Sequence, residues 1–157
     1  MRTLTRREPD WIPTAPLVNT RSRRIDASPD VVWARIADHE TWPEWFTALK
    51  SVRVTGAPAG TEGRREVSMG GLTIREVFTA WEPESLFAFS VDTGPRVLAS
   101  MAESVSLVAD GAGACTITYT QGIEPARGFR WLLRIIVKRM NTELGKALDR
   151  LAELVTD

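Results

Sequence analysis

Apolar positions along this 157-residue chain follow two periods, one of two residues and one near 3.6. Residues 17–27 alternate in part and predict a first strand, polar enough to lie at a sheet edge. Ser28-Pro29-Asp30 then supplies an N-cap, a first-turn proline and an acid for the helix dipole. A short helix is expected from Asp30 to about Ala37, burying Val32, Trp33 and Ile36. Asp38-His39-Glu40-Thr41 breaks it, and a second short helix is expected from Trp42 to about Leu49.

Period two then runs through five further segments, 51–55, 64–69, 72–81, 86–92 and 101–108, and a sixth at 115–121. Gly70-Gly71 marks a two-residue hairpin turn. That turn sets Met69 opposite Leu72, Val67 opposite Ile74 and Arg65 opposite Glu76, so an acid and a base share the apolar face. Across Glu82-Pro83-Glu84-Ser85, pairing Trp81 with Leu86 sets Phe78 opposite Phe89 and Ala80 opposite Phe87. Met101, Val105, Leu107, Ile117 and Tyr119 extend the same face, and alternation adds Glu103 and Gln121.

The chain ends in a helix expected over 128–155. Phe129, Leu133, Ile136, Val137, Met140, Leu144, Ala147, Leu148, Leu151 and Val155 form its apolar face. Trp131 and Ile135 lie on the polar side, against Trp11 and Ile12 or against a second copy, which makes a homodimer through them a candidate. An antiparallel meander with segregated helices is α+β. Only the long helix is large enough to cover an aromatic-rich sheet face.

The length suits one domain, 16–157, preceded by an arm at 1–15 rich in proline and charge. Twenty basic residues balance twenty acidic ones, so no long-range field favours nucleic acid. No apolar run is long enough for a membrane span, so stable insertion is not expected, and the opening residues lack a secretory signal. With one cysteine, Cys115, these features read as cytoplasmic. Six tryptophans and five phenylalanines stand against one tyrosine and one histidine, which favours a greasy cavity over acid–base chemistry.

IDASPDVVWARIADHETWPEWF (25–46) and REVSMGGLTIREVFTAWEPE (65–84), with the final hairpin and helix, resemble START-like proteins of the polyketide cyclase/dehydrase and lipid-transport type, the SRPBCC superfamily. The resemblance implies a helix-grip fold: a seven-stranded antiparallel sheet wrapped around the last helix, two short helices after the first strand, and a cavity between sheet and helix. It also implies a small hydrophobic ligand such as a lipid, isoprenoid or polyketide. The rival is an aromatase/cyclase-type enzyme with Glu76 as base and Arg65 stabilising enolate charge.

The candidate ligand-binding residues are Arg65, Val67, Met69, Ile74, Glu76, Phe78, Phe89, Met101, Tyr119, Leu133, Ile136, Val137 and Met140. Arg65 and Glu76 either orient a ligand's polar group or form a buried ion pair that sets hairpin register, and the sequence leaves both open. Glu103 and Gln121 are expected at strand ends in water, and His39 in an exposed loop. Trp33, Trp42, Trp45 and Phe46 read as packing, with Trp45 a candidate wall. One histidine and one cysteine support neither a catalytic triad nor a zinc site, so no metal or cofactor is expected. The cations at the start of the last helix are expected to be a solvated face.

Overall fold

A computed structural model describes residues 1–156. Its eight strands are β1 (Arg2–Thr3), β2 (Leu17–Ile25), β3 (Ser51–Val54), β4 (Arg64–Met69), β5 (Leu72–Glu82), β6 (Leu86–Gly94), β7 (Leu98–Ala109) and β8 (Cys115–Pro125). They form one antiparallel sheet in the order β2-β8-β7-β6-β5-β4-β3, with β1 attached to β6. The helices are α1 (Pro29–Ala37) and α2 (Arg130–Thr156). This is the helix-grip arrangement, with α2 packed on β2 and β8.

The Gly70-Gly71 turn does what its composition requires. Both glycines have positive φ, 49° and 89°, which type I′ geometry demands at both positions. Arg65 therefore pairs with Glu76, Val67 with Ile74 and Met69 with Leu72. The next hairpin departs from expectation. Phe78 faces Phe89, but Trp81 faces Phe87 and Glu82 faces Leu86, because a bulge at Thr79 inserts one residue. The extra residue returns Trp81 to the inner face, where its ring lies 5.9 Å from Phe78 and 5.3 Å from Phe87.

The second short helix also differs. It is a 3₁₀ helix at His39–Glu44, starting inside the expected break and ending before Leu49. Pro43 limits an α-helix there, and the tighter turn carries His39 and Trp42 onto the sheet.

The first fifteen residues lie against the sheet. Strands β6 and β7 pair only between Leu86 and Ser106 at one end and Ser90 and Ala102 at the other, then diverge. The chain start enters the gap: Leu4 N–H donates to the Asp92 carbonyl on one side and Thr5 N–H to the Ala99 carbonyl on the other. A 3₁₀ helix at Pro9–Thr14 follows, and its Ile12 is buried. Gly122 makes room for it: an added Cβ would lie 2.8 Å from the Ile12 carbonyl oxygen and 3.1 Å from the Ala15 Cβ.

Gly122→Ala is therefore expected to cost about 1–3 kcal/mol through overpacking and to speed proteolysis of residues 1–15. Gly113→Ala, whose Cβ meets nothing within 4 Å, is the control and should stay within about 0.5 kcal/mol of the parent. Urea unfolding with limited trypsin digestion measures both. Equal behaviour of the two variants would show that the contact carries no weight.

Candidate functional site

Between the sheet and the first half of α2 lies a cavity of about 450 Å³. Its lining is mostly apolar, including Met69, Leu72, Val91, Leu98, Ile123 and Leu133. Of the residues expected there, Arg65, Val67, Met69, Ile74, Glu76, Phe89, Met101, Tyr119, Leu133, Ile136 and Met140 line it. Phe78 and Val137 do not. Phe78 lies beneath His39 in the aromatic cluster, with ring centroids 4.9 Å apart. Val137 packs at the edge of the core cluster. Trp45 is also no wall; it is fully buried against Trp42 and Phe46.

The polar groups of the cavity fall on one line. Strand register places Arg65 beside Glu76, Glu76 beside Val91, Phe89 beside Glu103, Glu103 beside Gln121, and Gln121 beside Asn19. Side chains of one face repeat every two residues, so this row crosses the concave face at right angles to the strands. It contains two ionic or polar clusters separated by the β6 residues Phe89 and Val91.

The first cluster is built around Arg65, which is 1% exposed. Its Nε donates to Glu76 Oε1 at 2.6 Å, and its Nη1 lies 3.2 Å from His39 Nδ1. His39 Nε2 is 2.7 Å from the Pro58 carbonyl oxygen, which can only accept. The proton therefore sits on Nε2, and Nδ1 is left to accept from Arg65. The guanidinium carbon lies 4.0 Å from the Trp42 ring centroid and 4.7 Å from that of Phe89. With Phe87 at 5.2 Å, its charge thus meets one carboxylate, one neutral imidazole and three aromatic rings. The expectation of an exposed His39 is corrected: it is 2% exposed. Burial, reinforced by the Arg65 charge, lowers its pKa from the usual 6.5 to about 4, against the Pro58 hydrogen bond.

The second cluster overturns the expectation that Glu103 and Gln121 sit in water. Both are buried. Strands β7 and β8 run on to Leu98 and Pro125, so these residues are mid-strand. Gln121 Nε2 donates to Glu103 Oε1 at 3.1 Å, and Asn19 Nδ2 donates to Gln121 Oε1 at 2.6 Å. Asn141 Nδ2 of α2 closes the chain on Asn19 Oδ1 at 2.6 Å. Burial, then the nearby Glu76 charge, raises the Glu103 carboxyl to about 7. Tyr119 interacts with Glu103, and burial with that charge drives its phenol well above the ordinary value. Burial also raises Glu76, with Arg65 pulling against it. Two carboxyl groups thus share one guanidinium. Glu76 holds it, and Glu103 takes up a proton near neutrality.

His39 and Asn19 are functional neighbours that sequence reasoning did not place in the site. The signal for Asn19 was a lone amide opposite the Glu103–Gln121 pair. Arg139 and Glu143 of α2 also line the cavity. No group of histidine, cysteine and acidic side chains suited to a metal ion occurs among the described residues.

A sequence model described as polyketide cyclase / dehydrase and lipid transport matches residues 18–156. The chain belongs to that family. An uncharacterized protein of Mycobacterium tuberculosis (strain H37Rv) is 30% identical over 146 residues, covering 87% of each chain. Among solved structures, the Zhui aromatase/cyclase of Streptomyces sp. R1128 superposes with a TM-score of 0.75 at 13% identity, over 89% of this chain and 93% of that one. Norcoclaurine synthase of Thalictrum flavum, solved with dopamine and hydroxybenzaldehyde, gives a TM-score of 0.73 at 15% identity over 99% and 96%. At these identities the structural likeness is one of fold. The family supports a ligand-binding or cyclase role. No helix among the described residues is long and apolar enough to cross a membrane.

Arg65→Met is expected to cost about 3–5 kcal/mol, because it strands Glu76 in the cavity floor. Adding Glu76→Leu should restore part of that loss, and urea unfolding of both variants measures it. A double variant no more stable than Arg65→Met alone would mean that Arg65 acts through something other than Glu76.

His39 sets a pH dependence whose sign is fixed. Its folded pKa, about 4, lies below the unfolded value near 6.5. Below pH 6.5 the unfolded chain binds a proton that the folded chain refuses, so the His39 contribution to stability falls between pH 6.5 and 4, by up to about 3 kcal/mol. Glu103, raised to about 7, contributes in the opposite sense. His39→Gln keeps a donor for Pro58 and an acceptor for Arg65. It should gain stability relative to the parent as pH falls through that window, and a difference from the parent that does not change with pH would exclude His39 as a source of the dependence.

Proposed function

We propose that the protein binds a small, largely apolar molecule that carries one oxygen-bearing end. The observation that supports this most directly is the contrast within the cavity. Its walls are apolar, while Arg65, Glu76, Glu103 and Gln121 gather in one row, with Tyr119 two residues from Gln121 along β8. A volume near 450 Å³ suits a drug-sized ligand, and a few placed polar groups fix its orientation. The apolar body would lie against Met69, Leu72, Met101 and Leu133, and burial supplies about 25 cal/mol per Å². A lipid, isoprenoid or polyketide-like molecule has this shape.

A second reading has its own support. Glu103 titrates at about 7 beside Tyr119, which is the range a general acid or base needs. In a cyclase of enolisable carbonyl chains, the cavity would fold the chain and Glu103 would carry the proton. That differs from the assignment of Glu76 as base, since Glu76 is taken up by Arg65 at 2.6 Å. Arg65 would keep the role of stabilising enolate charge across the row.

Mass spectrometry of freshly purified protein, native and then denatured, is the first test. A small molecule released on denaturation is expected, and the organic extract gives its class. Only bare chain would count against a resident ligand and shift weight to turnover. Glu103→Gln then separates the readings. A binder should keep its ligand within about tenfold in affinity, whereas an enzyme should lose about 10²–10⁴ in rate. Glu76→Gln should alter affinity in the binder as well. A ligand that accepts a hydrogen bond from the Glu103 carboxyl should weaken above pH 7, and one that donates to the carboxylate should tighten.

A further inference from the structure

We propose that the outer face of the first three turns of α2 docks on an anionic lipid surface, with the cavity opening beside it. Residues 127–142 contain five cations and no acid, although the whole chain is neutral. Elsewhere arginines are mostly paired: Arg7 with Glu124, Arg23 with Asp149, Arg35 with Glu44, Arg64 with Asp92 and Arg150 with Glu153. Among the described residues, none of Arg127, Arg130, Arg134, Lys138 and Arg139 has such a partner, and all are exposed. The neutral total therefore hides a local segregation of charge.

The apolar residues of this stretch are the second observation. Trp131 is 66% exposed and Ile135 62%, high values for such large side chains. At 100° per residue, Arg130, Arg134 and Lys138 form one stripe, and Trp131 with Ile135 forms the next. Cations beside an aromatic and a branched apolar residue on one helix face are the composition of a helix that lies in a membrane interface. Long cationic stems keep their charge at headgroup level while the apolar stripe enters the acyl boundary.

The third observation is position. Ile136, next to Ile135, is 37% exposed and also lines the cavity. Exposed Ala48 and Arg139 are further members of the lining, so the cavity opens on this side of the helix. The loop carrying exposed Arg96 is joined to the start of α2 by the Ala126 N–H to Val97 carbonyl bond, and its Pro95 and Val97 line the cavity too. A lipid surface on this face would meet the opening. A second copy fits it less well, because a two-fold contact would set the same unpaired cations against each other.

Vesicle co-sedimentation tests this without any ligand in the cavity, so it stands or falls separately from the proposed function. The full chain should bind vesicles of phosphatidylcholine and phosphatidylglycerol (roughly 7:3), and should not bind pure phosphatidylcholine. Binding should fall steeply as salt rises from about 0.1 M to about 1 M. Arg130→Gln, Arg134→Gln and Lys138→Gln should each weaken it roughly fivefold. Trp131→Ala with Ile135→Ser should weaken it about tenfold or more while leaving the unfolding midpoint unchanged. Brominated lipid should quench the parent's fluorescence and not that of the Trp131→Ala variant. Absence of vesicle binding overturns the proposal, as does binding that ignores these substitutions. A concentration-dependent dimer that the Trp131–Ile135 variant abolishes, with no vesicle binding, assigns the face to a second copy instead.

Discussion

A guanidinium buried to 1% exposure sets the terms for one end of this molecule. An unpaired charge there is prohibitive, so everything around Arg65 must answer it. Glu76 does so from the neighbouring strand because the two-residue turn leaves no other register. His39 does so only as a neutral acceptor, which requires its other nitrogen to donate to Pro58. Trp42, Phe87 and Phe89 do so with their rings. Residues 39–44 therefore cannot be an ordinary surface connection. The 3₁₀ turn is what lowers the imidazole and the indole onto the same guanidinium.

The same constraint extends along the row to Glu103. Two carboxyl groups face one fixed cation, and the second has only neutral donors, Gln121 and Tyr119. The low-dielectric floor then favours the protonated acid. A carboxyl that exchanges its proton near neutrality differs from a structural ion pair. Gln121, Asn19 and Asn141 hold it in place from the far edge of the sheet. That chain of amides also ties β2, β8 and α2 together, so the orientation of Glu103 depends on the seating of the helix.

Sequence pattern made the fold and half of the site legible. The register of β4 and β5 was readable because two glycines permit one turn, and one turn permits one pairing. The bulge at Thr79 was missed, although Phe78 and Trp81, three apart and both large, break the alternation that a regular strand would keep. Alternation places Glu103 and Gln121 on the correct face, but strands read as 101–108 and 115–121 leave both near strand ends, whereas β7 starts at Leu98 and β8 runs to Pro125. Four more residues on β8 turn a strand end into a cavity floor. His39 was misread for a different reason. Its neighbours Asp38 and Glu40 are charged, and burial is decided by what lies across the fold. The acceptor that Arg65 lacked within its own hairpin was the available clue.

The long helix shows why a uniform apolar face need not mean a uniform core. Leu144, Ala147, Leu148 and Leu151 are buried and fix α2 against the sheet. One to three turns earlier the same face continues as Leu133, Ile136 and Met140, which border open space. Close-packed side chains there would have gained dispersion contacts that a cavity forgoes. The sheet's polar row prevents that gain, because apolar side chains pressed onto Glu103 and Gln121 would add desolvation without supplying hydrogen bonds. The second half of α2 thus supplies the stability, and the first half is left to roof a space whose floor is polar by register.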